Sequence, residues 1–133
     1  MGTDTAPNPP VYTDGLGELV LAHRRYCGVS QRTFGERLGI KEKSLSDIEI
    51  GRRPCPPGLM DTVYRVIDDF DDAVDAVVDK AEEMGASDEA SISMDVASEG
   101  VDEWARAVIG RAAVQSGRIV PTLAGEFSRG VAP

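Results

Sequence analysis

The chain has 133 residues, 41% hydrophobic and 28% charged, and carries a formal net charge of −9. That length supports one small domain, or a small domain with an appendage, and no apolar run approaches the roughly 20 residues that a membrane-spanning helix needs. With one histidine, two cysteines, no G-x-S-x-G, no phosphate-binding glycine loop and no zinc-ligand spacing, nothing assembles a catalytic or metal centre. The chain is therefore expected to be non-enzymatic, with no cofactor and no metal.

The first residues, MGTDTAPNPPVYTDG, lack the basic and apolar regions of a signal peptide, so a cytoplasmic protein is expected, with residues 1–13 a disordered arm. Asp14 predicts an N-cap for a first helix running to about Cys27, with Leu16, Leu19, Val20, His23 and Tyr26 at three- and four-residue spacing. Gly28 ends it. His23 and Cys27 share a face, but only Cys55 could add a soft ligand. Reduced, partly buried cysteines are expected rather than a metal site.

Ser30 predicts the cap of a second helix carrying Phe34 and Leu38 inward. Gly39 falls at a tight turn, and a third helix over about Lys41–Ile50 buries Leu45 and Ile48. Its outward face holds Lys41, Glu42, Lys43, Ser44 and Asp47. Two short helices joined by a tight turn, the second with polar side chains outward, present a helix to the major groove of DNA.

Pro54-Cys55-Pro56-Pro57 cannot be helical. A long amphipathic helix from Gly58 to Met84 follows, about 40 Å long if continuous. Its first half is expected to close the head and its second half to reach away as a spacer or partner surface. The aspartates between Asp68 and Asp79 form its solvated face. Ile92, Met94 and Val96 alternate with Ser91, Ser93 and Asp95, which is strand grammar. A helix over about Gly100–Ser116 and a strand over Arg118–Leu123 complete a parallel β-α-β unit with two bare edges. Pairing with the same element of a second chain would cover an edge, so Ile92, Met94, Val96, Trp104 and Ile119 are the expected dimer or partner surface.

Charge is unevenly spread. Residues 15–56 carry a net +3 and residues 61–133 a net −10. A basic head on an acidic body is the asymmetry that orients a protein on a polyanion.

From Arg24 to Arg53 the chain resembles the Cro/repressor-like helix-turn-helix family, also called the XRE family. The residues that match are Arg24, Ser30-Gln31, Phe34-Gly35, Leu38-Gly39-Ile40, Leu45, Ile48-Glu49 and Gly51-Arg52-Arg53 followed by proline. The segment beyond them looks faintly like that of uncharacterised bacterial and phage regulators. The resemblance implies a mainly α fold: a four- or five-helix helix-turn-helix head over residues 14–67, a helical extension over 68–84, and a small α/β dimerisation or partner-binding unit over 85–133.

The resemblance also implies a palindromic double-stranded DNA operator as partner. Glu42, Lys43 and Asp47 match base-reading positions, with Ser44 on the same face. Gln31, Arg32, Lys41, Arg52 and Arg53 are placed to meet phosphates, and Arg24 and Glu49 match a pair that ties the first helix to the third. Gly35 stands where the family usually has alanine. The implied function is a homodimeric, sequence-specific repressor. The alternative is an antitoxin or adaptor whose acidic half binds a basic protein.

Overall fold

The computed structural model describes residues 16–123. Helix α1 spans Leu16–Cys27, α2 Gln31–Leu38, α3 Glu42–Glu49 and α4 Leu59–Glu83. Strand β1 (Ile92–Asp95), helix α5 (Glu103–Ser116) and strand β2 (Ile119–Thr122) follow. The fold is mainly α, with one two-stranded parallel sheet in which Ile92 pairs with Ile119 and Asp95 with Thr122. The expected N-cap Asp14 and the arm over residues 1–13 lie outside the described residues. Contacts divide the chain into two compact units, meeting between Asp68 and Asp69.

In the first unit α1 and α2 both pack on α3. Val20, Phe34, Leu45, Ile48 and Val63 form a fully buried core, which Leu38, Leu59 and Val66 extend.

 Cys27 and Cys55 are in no disulfide and both are buried, and desolvation pushes the Cys55 thiol above its ordinary pKa. The Nδ1 of His23 lies 2.8 Å from the Leu19 carbonyl oxygen, and its ring meets that of Tyr64 edge to face.

Local signals explain the helix boundaries. The Ser30 side chain accepts from the Thr33 amide and starts α2. Gly39 ends it at φ 77°, a conformation that costs a side chain but not glycine, and the Ile40 amide then donates back to the Gly35 carbonyl at 3.0 Å. α5 starts later than its periodicity predicts, at Glu103, because the Asp102 carboxylate caps it by accepting from the Ala105 amide at 2.8 Å. β1 ends at Asp95, whose side chain accepts from the Ala97 amide and turns the chain.

The second unit has its own core of Phe70, Val74, Ala81, Val96, Trp104, Val108, Ala112 and Ile119. The later turns of α4 are part of that unit and supply Phe70, whose ring meets Trp104 edge to face with centroids 5.3 Å apart. They do not reach away as a spacer. For the same reason Trp104, Val96 and Ile119, expected on a dimer or partner surface, are buried inside the unit, at 7%, 6% and 5% exposure. Of that expected set, Ile92 and Met94 remain half-exposed. Arg118, just before β2, donates to Asp88 and to Glu82 at the end of α4, and Asp88 above all raises its already high pKa.

Gly17 is a close-approach position that periodicity does not reveal. A Cβ there would lie 2.1 Å from the Ile48 carbonyl oxygen, so α1 meets the end of α3 backbone to backbone. Gly17→Ala is expected to destabilise the chain by about 1–3 kcal/mol in urea denaturation, because the clash outweighs the gain in helix propensity.

Candidate nucleic-acid interface

The site is built on α3 and the turn that follows it. Glu49, the last residue of α3, has a side chain only 2% exposed. Arg24 on α1 grips it with two bonds, Nε to Oε2 at 2.8 Å and a terminal nitrogen to Oε1 at 2.9 Å. Gln31, the first residue of α2, donates its amide to the same Oε1 at 2.9 Å. Arg24 also donates to the Val29 carbonyl in the α1–α2 loop at 3.1 Å. One carboxylate thus joins three helices and a loop, and its charge is met by three donors. The Gln31 side chain, expected on a phosphate, has its amide nitrogen engaged within the head instead.

The outward side of α3 presents Glu42 and Lys43 exposed and Ser44 half-exposed, with the exposed Lys41 just before it. Arg32 on α2 is also exposed. After Glu49 the chain folds back: the amides of Arg52 and Arg53 both donate to the Asp47 carbonyl oxygen, at 2.8 and 3.1 Å. That turn brings both arginines beside the exposed face of α3, and Arg53 reaches the Ser44 hydroxyl at 3.5 Å.

Asp47 departs from expectation. Sequence position puts it on the reading face, yet the residue is 8% exposed. Its carboxylate lies between Lys43 Nζ at 3.5 Å and an Arg52 terminal nitrogen at 3.8 Å. Those partners are themselves 81% and 70% exposed, so the acid is covered while the cations around it stay open. Asp47 is therefore covered rather than open on the outward face, with the two cations beside it. The signal was present as an i, i+4 Lys43–Asp47 pair, but the arginine depends on the turn.

A family model described as a helix-turn-helix domain matches residues 16–84, just over half of the chain. The chain belongs to the helix-turn-helix domain family. The match ends with α4, so the strands and α5 lie beyond it. No curated protein and no solved structure matches the chain. Within the helix-turn-helix, Gly35 has a local reason: a Cβ there would come 3.0 Å from the Ile40 carbonyl oxygen, so the glycine lets α2 close on the turn. Among the described residues no helix is long and apolar enough to cross a membrane.

The three-donor cluster sets a measurable order of effects. Arg24→Met strands the buried Glu49 carboxylate and is expected to cost about 3–5 kcal/mol of unfolding free energy. Gln31→Leu removes one hydrogen bond to a charged group and is expected to cost about 1.5–3 kcal/mol. Chemical denaturation of the two variants tests the order.

Proposed function

We propose that this chain is a sequence-specific DNA-binding regulator of transcription: a homodimeric repressor of bacterial or phage genes, reading a palindromic double-stranded operator. The observation that carries the reading is the open cationic face of α3, with Lys43 and Arg52 gathered around the covered Asp47. The helix bearing that face is fixed from behind by Glu49.

In this reading α3 enters the major groove. Lys43 donates to guanine O6 and N7, Glu42 accepts from cytosine N4, and Ser44 bonds a neighbouring base edge. Arg32, Lys41, Arg52 and Arg53 lie along the phosphates and supply salt-dependent affinity without sequence information. Because Asp47 offsets charge that would otherwise attract any phosphate, it lowers binding to unrelated duplexes more than binding to the operator. A single small head makes few base contacts, so two heads on half-sites about one helical turn apart complete the site. The exposed acidic residues of α4, Asp69, Asp72, Asp75 and Asp79, favour a second role in binding a basic protein.

Selection of duplexes from a random DNA pool at moderate salt tests the reading, and an enriched inverted repeat is the expected result. Lys43→Ala should then relax the preference at one base pair per half-site, at a cost of about 1–3 kcal/mol. Arg53→Ala should weaken all duplexes alike and reduce the salt slope by about one per head. A well-folded protein that enriches no sequence would sink the proposal.

A further inference from the structure

The two edges of the β1–β2 sheet are not equivalent. The Ile92 amide donates to the Arg118 carbonyl at 2.9 Å and the Val96 amide to the Thr122 carbonyl at 2.8 Å. With Ile92 opposite Ile119, the alternation of a parallel ladder turns the backbone groups of Ile92, Met94 and Val96 toward β2, and those of Ser93 and Asp95 away from it. On β2 the outward-facing residues are Ile119 and Pro121. Proline has no amide hydrogen, so the outer edge of β2 lacks a donor where a further strand would need one. The outer edge of β1 keeps its donors, and no other strand among the described residues pairs with it.

β1 also offers apolar side chains for a partner to cover: Ile92 and Met94 are half-buried, and Val120 on β2 is exposed as well. A strand added beside β1 would cover Ile92 and Met94. We propose that a second copy of this chain adds there, antiparallel, with Ser93 on the two-fold axis, giving a continuous four-stranded sheet. This inference rests on the homodimer of the proposed function and assigns that dimer its surface.

The strand is complementary to itself in this register. Ile92 lies opposite Met94 of the partner strand and extends the apolar face. Asp95 lies opposite Ser91, so no two carboxylates oppose each other although the C-terminal half of the chain is acidic. Antiparallel pairing at Ser93 also leaves each backbone donor of Ser93 and Asp95 with an acceptor on the partner. Four strands in one sheet remedy the marginal stability of two. The contact is short, so the dimer is expected to be a micromolar one.

Sedimentation of the full chain without DNA, with amide exchange followed residue by residue, tests this. Ser93→Pro removes the outward donor and no bond to β2, while Ser93→Lys sets two ammonium groups against each other on the axis. The wild type should dimerise, with the Ser93 and Asp95 amides protected more strongly as concentration rises. Each variant should raise the dimer dissociation constant by roughly tenfold or more at unchanged helix content. A wild type that stays monomeric at about 100 µM overturns the inference, as does a dimer that survives Ser93→Lys. If Ser93→Pro fails to fold, Ser93→Lys and the two amides decide. Because no DNA is present, the result stands apart from the operator selection: a β1-edge dimer that enriches no sequence keeps this inference and loses the regulator, and a sequence-selective protein that is monomeric in solution does the reverse.

Discussion

The head depends on one buried carboxylate. Glu49 is placed at the end of α3, out of water, and burying a charge there is unfavourable unless donors surround it. Arg24 and Gln31 supply three of them, and they come from α1 and α2. The carboxylate therefore turns a local requirement, its own solvation, into a constraint on the placement of three helices. Apolar packing of Val20, Phe34, Leu45 and Ile48 provides the larger burial, but it is non-directional. The fork of Arg24 on both Glu49 oxygens is directional, and it sets the angle at which α3 shows its outer face.

That constraint has a backbone counterpart at Gly17, where α1 and the end of α3 come too close for a side chain. With α3 fixed, the turn after it can return Arg52 and Arg53 over its outer face through the Asp47 carbonyl. The Asp47 carboxylate then lies beneath the cations rather than open on that face. An acid that the sequence placed on the outward face is instead covered, with Lys43 and Arg52 beside it.

The second unit solves a different problem. A β-α-β element with two short strands buries little by itself. Here the later turns of α4 add Phe70, Val74 and Ala81 to its core, and Phe70 gains both the edge of Trp104 and the guanidinium of Arg111, 5.6 Å from its ring centroid. Arg118 ties the end of α4 and the turn at Asp88 to the start of β2. Of the two edges this arrangement leaves open among the described residues, only that of β1 keeps its donors, and its composition, serine-rich with a single acid, suits a self-pairing strand.

Elements governed by near neighbours were legible in the sequence. Ser30 as a cap, glycine at 39, the proline break before α4, the stripe of α4 and the parallel strand-helix-strand order each depend on residues a few positions apart, and the structure has them. The two cores were legible as apolar periodicity, but not their membership: Trp104 and Ile119 read equally well as surface for a partner, because periodicity marks a face and does not say what covers it. The burial of Asp47 was hidden for a related reason, since it depends on how residues 50–53 fold back. Gln31 and Gly17 required the third dimension outright, as their partners Glu49 and Ile48 lie 18 and 31 positions away. The sequence by itself determined the helices, most of their ends and the charge of each half, because these follow from local chemistry. Only the tertiary structure decided which charges stay open and which apolar residues are covered, because both depend on what distant segments bring alongside.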